Sequence, residues 1–224
     1  MKSLSSETYI VDGNITLFLG NHSEQFKKDV LHSSLLGQLL ADSTPDKWFP
    51  SYRTTLDKLY WSLNGFKNHT LPKSSSSLFS IASTVLADTL QKEQLQQLSS
   101  ALSNTAQLPS EAPALKALLN RFQTEIAPSH GEGSLTVSTL LTIVCENKKT
   151  ISLQISLETT RSVDITFLRQ PLPEAVIQGD IETNFWTTYL SEDKYAKIRT
   201  QVVGKLGSKP QNHLFQILES DPAI

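Results

Sequence analysis

The sequence predicts an α+β fold: a short β-hairpin, an N-terminal helical lobe of four to five helices, then an antiparallel β-meander and a C-terminal helix. Three observations predict it. Leu and aromatic residues recur at helical spacing through Asn21–Phe66. From Leu135 onward the period switches to two, with one apolar and one polar face per strand. Between these regimes stand Pro128 and Gly131-Glu132-Gly133, a break that divides residues 1–130, mainly helical, from residues 131–224, sheet plus helix. The two parts are expected as packed lobes or as one compact domain.

Each element follows from local chemistry. Asp12-Gly13-Asn14 between Tyr9–Val11 and Ile15–Leu19 reads as a hairpin turn, because Gly and Asn tolerate positive φ. Asn21 with Glu24 three residues on resembles a capping box, and Phe26, Val30, Leu31, Leu35, Leu36, Leu39 and Leu40 form the stripe of a first helix. Ser33, Ser34 and Gly37 leave room for a close neighbour. Thr44-Pro45 opens a second helix with its stripe at Phe49, Tyr52, Leu56, Leu59, Tyr60 and Leu63, and Asn64-Gly65 is its expected stop. Lys67–Ser77, with a Pro and a serine run, reads as a linker. Helices follow over Leu78–Asn104, in two pieces, and then after Ser110 as N-cap, with Leu115, Leu118, Leu119, Phe122 and Ile126 as its apolar positions. In the meander, Leu135–Cys145, Ile151–Leu157 and Val163–Phe167 are the expected strands, with a fourth over Glu174–Thr183. Ser191 opens the last helix, carrying Tyr195, Ile198, Val202 and Leu206; His213–Leu218 reads as a final strand.

Composition excludes several classes. Hydrophobic residues make up 38% of the 224 and charged residues 19%, enough apolar mass for a core. Twenty basic against 22 acidic residues leave no field to attract a polyanion, so nucleic acid is not an expected partner. No window of about 18 residues is continuously apolar, so no integral membrane segment is expected. The first residues, MKSLSSETYIVDGN, hold no apolar run of signal-peptide length. The expected location is cytoplasmic, or exported without a cleaved signal peptide.

No motif carries a chemistry. The lone Cys145 falls on the apolar face of a strand, where a thiol is expected to pack as a small hydrophobe. His22, His32, His69, His130 and His213 are scattered at spacings that place no two on one metal, so neither metal nor cofactor is expected. Gly131-Glu132-Gly133 precedes a strand, and its Glu would repel phosphate. Asp180 and Glu182 alternate along a strand as paired general acid and base would, although a solvated sheet face explains them equally. Lys194, Lys197, Arg199, Lys205 and Lys209 follow the acidic start of the last helix, the order its dipole favours. Trp48, Phe49, Tyr52, Tyr60 and Trp61 concentrate aromatic surface in the second helical segment. Core packing accounts for most of it; Trp48, Tyr52 and Trp61 are the residues expected to form any partner-binding patch.

Val11-Asp12-Gly13-Asn14, the run DVLHSSLLGQLLAD from Asp29, and Trp48, Tyr52, Leu56, Leu59 and Trp61 together resemble small accessory proteins encoded beside bacterial α-helical pore-forming toxins. The resemblance covers residues 9–65. It implies a virulence- or toxin-associated role and transfers no site residues.

Three functions compete. The leading one is a non-enzymatic interaction or accessory protein of bacterial type that binds a protein partner. The second is an enzyme with a site assembled from dispersed polar residues such as Asp180, Glu182 or a histidine. The third is a membrane-active helical protein, against which stands the balance of Lys27, Lys28, Lys47, Arg53 and Lys58 by Glu24, Asp29, Asp42, Asp46 and Asp57.

Overall fold

Asp12-Gly13 turns a hairpin in which β1 (Ser6–Val11) pairs antiparallel with β2 (Asn14–Leu19), and Asp12 takes φ 53°. The structure, a computed structural model, describes residues 5–126 and 134–218. Pro128, His130, Gly131-Glu132-Gly133 and Asp221-Pro222 lie outside the described residues. Helix α1 (Glu24–Ala41) follows, capped by Ser23 rather than Asn21: the Ser23 hydroxyl accepts from the Phe26 amide at 3.3 Å.

The second helix is shorter than its apolar stripe predicts. A 3₁₀ turn (Pro45–Lys47) leads into α2 (Trp48–Lys58), and Tyr60 at φ 65° then ends it in the left-handed conformation. Trp61–Leu71 is not helix and linker but one strand, β3. Helical spacing survives through Leu63 only by coincidence, since Trp61 and Leu63 are also two residues apart on one face of a strand. Then come α3 (Leu78–Leu86), α4 (Lys92–Ala106) and α5 (Pro113–Phe122). The chain becomes extended at β4 (Gln123–Ile126), where a continuing helix was expected.

Strands β5 (Ser134–Val144), β6 (Thr150–Thr159) and β7 (Ile177–Leu190) form the antiparallel meander. The strand expected over Val163–Phe167 is instead a 3₁₀ turn (Ile165–Leu168), capped by Asp164, whose Phe167 and Leu168 plug the core. The strand expected over Glu174–Thr183 begins at Ile177 and runs on to Leu190, with Gly179 at φ 65° marking an irregularity rather than an end. The last helix is two pieces, α6 (Glu192–Ala196) and α7 (Arg199–Leu206), before a turn of helix α8 (Pro210–His213) and β8 (Leu214–Ile217).

All strands join one sheet in the order β3-β7-β6-β5-β2-β1-β8, with β4 pairing the start of β5. β2 and β5 are parallel, which requires the long crossover that α1 to α5 provide. Strands from both sides of residue 131 thus share one hydrogen-bonded layer. On one face Ile15, Leu17, Leu141, Ile143, Leu153 and Phe185 pack against α3, α4 and α5. On the other, Phe18, Leu140, Val144, Trp186 and Leu190 pack against α1, α2, α6 and α7.

The second face corrects the expectation of a solvated polar side. Thr142 and Ser152 are buried there beneath α1. Asn14 donates to Ser34 at 3.1 Å and to Thr142 at 3.0 Å; Ser34 is 3.2 Å from the Tyr52 hydroxyl; Trp61 donates to Ser33 at 3.0 Å. The small residues of α1 are therefore the partners of this buried layer, and a Cβ on Gly37 would lie 2.9 Å from the Tyr52 ring. The Asn14 amide N–H, Ser34, Thr142 and the Tyr52 hydroxyl are joined in this layer, whereas Asn14 Oδ1, Thr16 Oγ1 and Thr150 Oγ1 are buried without a partner among the described residues.

Burial pushes the Tyr52 phenol up to about 12, and burial with the adjacent Glu7 carboxylate does the same for Tyr9. A phenol titrates near pH 10 in an unfolded chain, so both shifts are upward on folding. Their contribution to stability is fully present below about pH 10 and is lost as pH rises towards 12. Urea midpoints should fall across pH 10–11.5, and Tyr52→Phe should remove part of that fall; an unchanged slope in the variant would refute the assignment.

Candidate partner-binding edge and cleft

The two edges of the sheet differ. β8 offers four residues at one edge, whereas β3 offers 11 at the other and, among the described residues, pairs only with β7. Ser62–Asn64 and Phe66–Thr70 are exposed along it. A long edge with unpaired backbone groups is a template for another strand unless it is blunted. A register shift between Leu63 and Gly65 bends the strand there. Leu63 and Phe66 nonetheless remain 51% and 37% exposed.

Between this strand and α2 lies a cleft of about 440 Å³. Phe49, Pro50, Arg53 and Leu56 of α2 form one wall, Trp61 and Leu63 of β3 the other, and Trp186 with Thr188 the floor. The aromatic side chains support one another: Phe49 stacks on Phe66 at 6.1 Å and tilts against Trp186 at 5.1 Å. The Arg53 guanidinium sits 4.4 Å from the Phe66 centroid and 5.7 Å from that of Phe49, a cation–π arrangement. Among the described residues it makes no hydrogen bond or ion pair. Asp57, one turn further along α2, shares the cleft without pairing to it.

Of the three patch residues expected from sequence, Trp61 lines this cleft while its indole N–H is used by Ser33. Tyr52 is buried behind it, and Trp48 stacks on Tyr52 at 5.1 Å and donates to Asp42 at 2.9 Å. Trp61 at 5% and Tyr52 at 2% exposure are thus core residues, of which Trp61 borders the cleft, and Trp48 is half-buried against Tyr52. Phe49, Arg53, Leu63 and Phe66 were not singled out. Leu63 and Phe66 reach the surface only because Trp61–Leu71 is an edge strand, and Phe49 and Arg53 because α2 packs beside it.

The remaining candidates are dispersed. The exposed Glu182 accepts from Thr70 at 3.1 Å, and Asp180 accepts weakly from the Lys73 amide at 3.4 Å; both tie down the far end of β3. Cys145 is half-buried beside a second cavity of about 720 Å³ with Gln91, Glu146 and Lys149. Burial pushes its thiol pKa up, which lowers the thiolate fraction a nucleophile needs. His22 stacks on Phe26, His32 is held below the usual imidazole range by burial, and His69 is exposed on β3. No cluster of metal-ligating side chains occurs among the described residues, and no helix among them is long and apolar enough to cross a membrane.

His213 joins a polar knot at the sheet's end that sequence reasoning missed. Asp12, almost fully buried, lies 2.9 Å from His213 Nδ1 and 2.6 Å from the Arg121 guanidinium, which also forks onto Asp42. The Asp12 amide donates to the His213 carbonyl at 2.7 Å. The knot fastens α5, the end of α1 and the start of β8 to the first hairpin.

No family model matches the chain, and no curated protein matches it. Among solved structures it is similar to the activated Cyt2Ba monomer from Bacillus thuringiensis subsp. israelensis, at 13% identity and TM-score 0.46 over 80% of this chain and 98% of that one. It is similar to a δ-endotoxin at 12% identity and TM-score 0.45, over 78% of this chain and 80% of that one. Similarity to the Evf virulence factor stands at 11% identity and TM-score 0.32, over 88% of this chain and 83% of that one.

Proposed function

We propose that the protein is a non-enzymatic interaction protein that binds a protein partner along β3 and the cleft beside it. The observation that carries this reading is the 11-residue edge strand with Leu63 and Phe66 exposed on it. An added strand would satisfy the free backbone groups, and its alternate side chains would reach the cleft. Trp61 lines that cleft, with Tyr52 and Trp48 packed behind as support. The accessory, virulence- or toxin-associated role belongs to the same proposal and rests on the sequence resemblance of residues 9–65; the products of the neighbouring genes are the first partners to test.

The test is binding of those purified products to the wild-type chain and to Leu63→Glu/Phe66→Glu. Leu63 is half exposed, whereas Phe66 also stacks on Phe49, so the double variant should lose part of its thermal midpoint yet unfold cooperatively, and below that midpoint binding should fall at least tenfold. Undiminished binding by a folded double variant would sink the reading.

A further inference from the structure

Resting on that reading, we infer that the partner segment at β3 is an extended, acidic one, with a carboxylate that pairs with Arg53 next to an apolar side chain seated in the cleft. Four observations support this. First, Arg53 is positioned without a partner: its guanidinium is held against Phe66 and Phe49, and no anion among the described residues meets it. A guanidinium stacked on a ring keeps its in-plane N–H fork free, and that fork matches a carboxylate bidentately.

Second, the edge strand carries one cation, Lys67, and no anion. β3 reads WSLNGFKNHTL, with Lys67 and His69 and no acidic residue. Third, charge changes sign along the strand: Asp180 and Glu182 stand beside its far end at Thr70 and Lys73. The partner's acid is therefore specified near Phe66, and acids are disfavoured opposite Thr70. Fourth, alternate residues of a strand lie on one face about 7 Å apart. A residue two positions from the acid would thus fall on the same face and enter the cleft between Leu63 and Phe49. A second copy of this chain is a poor occupant, because edge-to-edge pairing centred on Phe66 would set Arg53 and Lys67 against their own counterparts.

The test uses the full chain and a display library of random decapeptides. Enriched sequences should combine an apolar residue with Asp or Glu two positions away, and a synthetic binder should slow hydrogen exchange of the β3 amides. Amidating the peptide's acid (Asp→Asn or Glu→Gln) should weaken binding about tenfold in fluorescence anisotropy, leaving the protein untouched. Arg53→Leu should weaken the acidic peptide equally and the amide peptide little, with Arg53→Lys between them; Asp57→Asn should tighten the acidic peptide a few-fold. Binders that protect β3 but show no acid preference, or ignore Arg53→Leu, overturn the inference and leave the edge reading standing. Binders that leave β3 exchange unchanged, or a library that yields none, overturn both. Self-association in sedimentation that Phe66→Glu abolishes would make a second copy the occupant and would also overturn the inference.

Discussion

Trp186→Ala should destabilise the protein by roughly 3–5 kcal/mol. Trp186 is 1% exposed at the centre of β7. Phe49 lies 5.1 Å from its ring and Tyr52 6.4 Å, and across the strand pair its register partner is Phe66. Removing the indole leaves a hole under three aromatic side chains that are held by other contacts, so the site cannot collapse onto it. For a chain of this size the thermal midpoint should drop by about 6–20 °C. Trp186→Phe, which keeps a ring against Phe49 and Tyr52, should lose less than half as much. A fall of only a few degrees in Trp186→Ala would show that Trp186 is not the keystone of this face. The same substitution removes the cleft floor, so partner binding should fail at temperatures where the variant is still folded.

The second large effect is expected at the polar knot. Arg121→Leu strands the buried Asp12 carboxylate with His213 as its remaining side-chain partner, and such broken pairs cost about 3–5 kcal/mol. Asp42 loses the same guanidinium but keeps the Trp48 indole N–H. Charge stranding, rather than loss of packing, makes a specific claim about a double variant. Asp12→Asn/Arg121→Leu should be more stable than Arg121→Leu alone, because the uncompensated charge is gone and Asn tolerates the φ of 53° at that turn. Additive losses in denaturant titrations of the two single variants and the double would refute the claim.

Much of the fold was readable from local pattern. The hairpin around Asp12-Gly13, the stripe from Phe26 to Leu40, the two helical pieces after Leu78 and the alternation from Leu135 to Leu157 each declare their period within about a dozen residues. The α+β class follows from them. Trp61–Leu71 was misread because Leu56, Leu59 and Leu63 fit a helix, and the stop at Tyr60 is a left-handed tyrosine rather than the glycine such stops favour. Val163–Phe167 was misread because Val163, Ile165 and Phe167 alternate, yet Asp164 caps a 3₁₀ turn. The candidate site was legible in part: Trp61 was named, but Arg53, Leu63 and Phe66 gain meaning only when β3 is known to be an edge.

The sequence by itself determined the period of its strongly patterned stretches, from Phe26 to Leu40 and from Leu135 to Leu157, that apolar mass suffices for a core, and that no local motif specifies a chemistry. Tertiary structure decided that β2 lies parallel to β5, that β8 returns to β1, and that the polar face of the meander is covered by the serines of α1. It also decided which strands lie at the two ends of the sheet. The physical reason is one of range. A period of two or 3.6 is set by neighbouring residues along the chain, whereas pairing and burial depend on residues a hundred or more positions apart, such as Asn14 with Thr142 and Asp12 with His213.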